Sequence, residues 1–237
     1  MRLASYVPAA ALILAACSSD PESKLLTPST PTGRAATIAI VSGNDQEGKA
    51  GERLAQPLVV RVTDVSGSGI REAPVAFEIS GAGGLNGKDA PGSIRALSFT
   101  DTNGIAQVVL EPYDIGPISV TARVEGAALP PVTFTANATS VVVDFLSPQS
   151  AGAYAGFYGP CRCARTINAV TVPIGTAVEW ASVDSYTITA TSIPEGGAAF
   201  DSGVLARGGR FRFVPTIAGT WRYRDNVSGL TATLTAN

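Results

Sequence analysis

The stretch Ile94-Arg95-Ala96-Leu97-Ser98-Phe99-Thr100-Asp101-Thr102-Asn103-Gly104-Ile105-Ala106-Gln107-Val108-Val109-Leu110 decides how this chain is read. Two apolar runs, 94–100 and 105–110, flank a turn at Asp101-Thr102-Asn103-Gly104. Asn-Gly is the strongest short-range sign of a hairpin, because both residues tolerate a left-handed backbone. The expectation is two paired strands. Working outward, residues 37–41 and 58–62 are further apolar runs, and Asp64-Val65-Ser66-Gly67-Ser68-Gly69 is a Gly-rich turn. Residues 74–79 alternate, with Val75, Phe77 and Ile79 on one face, and 118–124 and 132–136 close the series. Short strands broken by turns at intervals of roughly 8–12 residues predict a β-sandwich over 34–138. No segment carries a helical period.

Composition agrees with β architecture. The chain of 237 residues has a low charged fraction, 15%, and 25 glycines and 16 prolines, enough length for two domains of about 100 residues each. The formal net charge is −2, which argues against a nucleic-acid partner, since that requires a basic surface. Histidine is absent and Met1 is the one methionine. Histidine is the usual general base near neutral pH and the commonest metal ligand. Its absence removes Ser-His-Asp and Cys-His catalysis, the HExxH zinc site and histidine-ligated copper together. Carboxylate pairs retain acid–base capacity, so the expectation is a non-enzymatic protein without a cofactor, not an exclusion of all chemistry. The acids Asp45, Glu47, Asp64, Asp89 and Asp101 are scattered, with no DxDxDG loop, and read as turn formers, not calcium ligands.

The N-terminus reads as an address. Arg2 precedes an apolar run over 7–16, too short to cross a bilayer as a helix and of the length of a signal peptide. It ends in Leu14-Ala15-Ala16-Cys17, which resembles the bacterial lipobox. That resemblance implies a leader over 1–17, lipid on Cys17, and anchoring in membrane through several acyl chains. Ser18 follows where an aspartate would favour inner-membrane retention, so the expected location is the cell envelope, at the outer membrane, facing the periplasm or the surface. Residues 18–33 are rich in Ser, Thr and Pro and read as a flexible tether.

Within 34–138, Asp64, Gly67, Gly69, Pro74-Val75-Ala76-Phe77, Thr100-Asp101, Gly104-Ile105-Ala106 and Val132-Thr133-Phe134-Thr135-Ala136 together resemble bacterial immunoglobulin-like domains of the invasin/intimin type, Big-1. The resemblance implies a spacer or adhesive unit. Over 141–237 the stretch Val170-Thr171-Val172-Pro173-Ile174-Gly175-Thr176-Ala177-Val178-Glu179-Trp180 resembles the opening strands of small blue-copper proteins. Ala198-Ala199-Phe200-Asp201-Ser202-Gly203 and Ala218-Gly219-Thr220-Trp221-Arg222-Tyr223 continue the likeness. It implies a plastocyanin-type, cupredoxin-like Greek-key sandwich. The family's copper ligands are missing: Tyr186 stands where the first imidazole is expected, Asp225 near the cysteine position, and Ser228 near the histidine of the final loop, which ends at Leu230. A blue-copper centre needs two imidazoles and a thiolate, so no type 1 copper is expected. The vacated end is expected to be filled by Tyr186 and Leu230, with a shallow pocket as the alternative.

Cys161 and Cys163 lie in a loop over 151–165, behind Tyr154, Phe157 and Tyr158. With Cys17 under lipid they form an even pair, read first as a local disulfide, then as free or intermolecular thiols, then as metal or redox groups. The aromatics read as cover for one end of the sandwich in preference to an exposed contact surface. Arg210 and Arg212 on one strand and Arg222 and Arg224 on the next are expected to form a small stripe on one solvated sheet face. The sequence therefore predicts an all-β envelope lipoprotein of two β-sandwich domains that binds or spaces a protein or glycan ligand at the cell surface. The alternative is a redox or metal-handling cupredoxin-like protein using Cys161 and Cys163.

Overall fold

The computed structural model describes residues 33–85, 94–146, 156–158, 168–182 and 184–237, and among them there are strands and no helix. The protein is all-β. Cys17, the tether up to residue 32, Asp89, Tyr154, Cys161 and Cys163 lie outside the described residues.

In the first half, β1 (Thr37–Ser42), β3 (Leu58–Thr63) and β7 (Ile105–Val108) form one sheet. Facing it are β6 (Arg95–Phe99), β4 (Pro74–Ser80), β9 (Gly116–Val124) and the first part of β10 (Val132–Leu146). Alternation supplies the core: Val60, Val62 and Val108 from one sheet meet Val75, Phe77, Val120 and Phe134 from the other, all buried. A two-stranded ribbon, β5 (Gly83–Leu85) with β8 (Leu110–Pro112), adds the buried pair Leu85 and Leu110.

The hairpin expected at Asp101–Gly104 is instead a corner. β6 pairs with β4, whereas β7 pairs with β3, so the chain crosses from one sheet to the other at this turn. Asp101 Oδ1 accepts the Asn103 and Ile105 N–H groups at 2.8 and 2.9 Å, closing a compact loop. Gly104 has φ 77°, and a Cβ there would run into the Val62 carbonyl oxygen. Asn-Gly reported the left-handed residue correctly, but a sandwich corner requires one as much as a hairpin does. Asp64 plays a similar part, its Oδ1 accepting the Ser66 and Ser68 N–H groups at 2.8 and 3.0 Å.

In the second half, β13 (Ala177–Ser182) and β16 (Arg210–Phe213) extend the sheet beyond β10, and β11 (Gly156–Tyr158) pairs with the end of β10. The facing sheet runs β12 (Ala169–Val172), β18 (Thr231–Ala236), β17 (Gly219–Arg224), β14 (Tyr186–Ser192), β15 (Asp201–Leu205). Trp180, Trp221, Tyr186 and Tyr223 are fully buried between them. Each withdraws on the order of 150–250 Å² from water, so aromatic burial dominates this core. Trp180 meets Tyr223 edge-on at 5.2 Å and lies 5.4 Å from Phe200. Phe157 is part of this core, 5.0 Å from Phe145, and does not form an exposed surface.

The expected arginine stripe does not form. β16 pairs with β13, and β17 pairs with β14 and β18, so Arg210 and Arg212 stand on one sheet while Arg222 and Arg224 stand on the other. The turn between them is again a corner.

The two halves meet within β10, not at a linker. Its residues 132–138 pair with β9, and residues 140–145 pair with β13 along the same edge. Inward residues are Phe134, Ala136 and Ala138, then Val141, Val143 and Phe145, so the inward parity changes from even to odd. The change coincides with a register slip against β2 (Gln46–Ala50), where Thr139 is the extra residue of a bulge. Without that bulge the pleat would turn Val141, Val143 and Phe145 away from the second core. Deleting Thr139 is expected to destabilise the second half by more than about 3 kcal/mol, whereas Thr139→Ala stays within about 0.5 kcal/mol. Urea unfolding followed by tryptophan emission measures both.

Candidate functional site

The residues singled out as vacated copper positions lie at one end of the second sandwich. β17 and β18 are paired up to Arg224↔Thr231, and residues 225–230 close the hairpin between them. Asp225 N–H donates to the Leu230 carbonyl at 2.9 Å, and Gly229 N–H to the Asp225 carbonyl at 2.8 Å, with Gly229 at φ 75°. This local chemistry is typical of an Asp- and Ser-containing turn.

Asp225 is 1% exposed, and its carboxylate is saturated with donors. Oδ1 accepts from Thr187 N at 2.8 Å, Thr187 Oγ1 at 3.2 Å and Val227 N at 3.2 Å. Oδ2 accepts from Ser228 N at 2.7 Å and Ser228 Oγ at 2.6 Å. Burial pushes this carboxyl up, but the Ser228 hydroxyl and the backbone N–H groups of Thr187, Ser228 and Val227 outweigh it, leaving it below the usual carboxylate range. The Thr187 contact explains the geometry of the sheet end. The β14–β17 ladder runs only to Thr189↔Arg224, and beyond it the Thr187 N–H is met by a carboxylate oxygen in place of a strand carbonyl. Thr187 Oγ1 in turn accepts the Asn226 N–H at 2.7 Å, and Asn226 Nδ2 donates to Thr189 Oγ1 at 2.9 Å. The loop is stapled to β14.

Tyr186 has a separate set of partners. Its ring is fully buried, 5.5 Å from that of Phe145. Its hydroxyl lies 2.9 Å from the Trp180 carbonyl oxygen and 3.0 Å from that of Gly209. Burial raises the phenol well above its ordinary range, so it remains a protonated donor. Leu230 is partly buried and packs against the same core. The structure therefore brings Asp225 and Ser228 together and packs Tyr186 and Leu230 against the second core. Among the described residues no three of Asp, Glu, His and Cys come together in a group suited to a metal. Thr187 and Asn226 were not anticipated from sequence. Asp225 and Ser228 are joined by local turn spacing, but Thr187 is 38 residues away from Asp225 and nothing in its surroundings advertises the contact.

No protein-family model matches the sequence, and no curated protein matches it. Solved structures similar to part of the chain include a novel purple cupredoxin from Nitrosopumilus maritimus, at 17% identity and TM-score 0.32, over 41% of this chain and 100% of that one. An oxidized amicyanin mutant matches at 16% identity and TM-score 0.32, over 41% of this chain and 82% of its own. The Cu(I) form of another amicyanin mutant matches at 15% identity and TM-score 0.31, over 42% and 83%. Nothing about the metals of those proteins carries over to this chain.

Asp225→Asn leaves the buried donors facing an amide nitrogen and is expected to cost on the order of 2–3 kcal/mol. The sign with pH follows from the lowered carboxyl. Its stabilisation is fully present above the unfolded-state value of about 4 and is lost as pH falls below that toward the native value. The gap between wild type and the Asn variant, measured by urea unfolding at a series of pH values, is expected to narrow on acidification below about 4.

Proposed function

We propose that this chain is a non-enzymatic, lipid-anchored protein of the bacterial cell envelope, whose two β-sandwich halves bind or space a protein or glycan ligand. The observation that supports a passive second half is the Asp225 carboxylate, buried and engaged by donors on both oxygens. A carboxylate so engaged is a poor general base and a poor ligand, because each new bond would displace an existing one. On this reading the second half is a cupredoxin-type sandwich in which a hydrogen-bond staple holds the loop end that a copper ion organises in the family it resembles. The first half is read as an immunoglobulin-like unit of the invasin/intimin type, from the residues quoted for it above. The anchor rests on Leu14-Ala15-Ala16-Cys17, with outer-membrane placement resting on Ser18. No cofactor and no nucleic-acid partner belong to this reading.

Radioactive palmitate labelling in a bacterial host tests the anchor. Label is expected on the wild-type chain and absent from Cys17→Ala, and equal labelling of the two removes the lipoprotein reading. Metal analysis of protein purified without chelators tests the passive second half. Substoichiometric copper is expected; one tightly held copper per chain with a strong thiolate charge-transfer band would move the function to Cys161 and Cys163.

A further inference from the structure

β2 belongs to the first half by sequence and touches both halves by contact. It pairs in parallel with β10 from Ala136↔Gln46 through Val141↔Ala50, across the point where one core gives way to the other. At Ser140, β10 is hydrogen-bonded toward Lys49 on one side and Ala177 on the other. Ala50, at the end of β2, is 0% exposed and packs in the second core with Ala138, Val141 and Trp180. Ile115, also from the first half, packs against that core.

A chain of charges lies over this seam. Lys49 Nζ reaches Glu179 Oε2 at 2.9 Å and Oε1 at 3.1 Å. Arg210 bridges Glu179 through Nη1 and Glu52 through Nη2. Two of these residues come from each half. The Glu179 side chain is only 12% exposed, and although burial pushes its carboxyl up, the Arg210 and Lys49 contacts hold it below the ordinary range. Separating the halves would take Lys49 from Glu179 and Glu52 from Arg210, leaving only the Glu179–Arg210 pair intact within the second half.

We infer that the two sandwiches form a single cooperative folding unit, closed by β2, in which loss of either core unfolds the other. A stretched linker between beads would give the opposite behaviour. This inference does not depend on lipidation or on the ligand.

The chain carries its own reporter. Its two tryptophans, Trp180 and Trp221, both lie in the second half and are fully buried, so their emission follows that core. Phe77 is fully buried in the first core against Phe134, and is not part of the second. In the full chain, Phe77→Ala is expected to lower the urea midpoint of the tryptophan transition by about 1–2 M, together with that of the far-UV circular dichroism. An unchanged tryptophan midpoint alongside an earlier dichroism transition would overturn the inference. If Phe77→Ala does not fold, the wild-type chain decides: coincident transitions by both probes support one unit, and separated transitions refute it. Lys49→Ala combined with Glu52→Ala tests the seam, since a first-half double substitution must then lower the tryptophan midpoint too; no shift would count against coupling there.

Discussion

One strand holds this molecule together. β10 carries hydrogen bonds on both edges through the junction, to β9 and then β13 on one side, and to β2 and then β11 on the other. Both cores take their inward residues from it. Because pleat alternation is strict, a strand serving two cores in succession needs some device to bring the correct face inward in each. The extra residue at Thr139 is that device, and its sheet neighbours, two of them added in parallel, follow from where it falls.

Much of the architecture is written in alternation. Val75 and Phe77 mark an inward face from sequence alone, and so does the run ending at Ala136. What stays hidden is where a strand continues and which strand it joins. β10 runs on to Leu146, beyond the residues 132–136 that read as its whole extent. β2 reads Gln46-Glu47-Gly48-Lys49-Ala50, with one apolar side chain, and is a strand because its backbone completes a sheet. Two strand–turn–strand segments, one at Gly104 and one before Gly219, look local and are not. A left-handed turn reverses the chain, but whether the reversal stays in a sheet or crosses to the opposite one depends on the core beneath it.

The same division applies to the candidate site. Asp225 and Ser228 were identifiable by position, and their mutual bond follows from turn spacing. The partner that gives Asp225 its importance, Thr187, comes from a strand on the far side of a long excursion of the chain. Polar contacts of this kind stabilise because they are buried and complete, and completeness depends on three-dimensional neighbours. The Lys49, Glu52, Glu179 and Arg210 chain is harder still to read, since partners bonded to each other in it lie as many as 158 residues apart.

The continuity of β10 also bears on how the protein withstands hydrolysis by other enzymes. Proteases take substrate as an extended, unpaired segment, and they favour the exposed loop tips that usually separate domains. Here the junction is a strand with neighbours on both edges. To present it for cleavage the chain would have to surrender β2, β9 and β13 together, so the seam between the halves is among the places least open to attack.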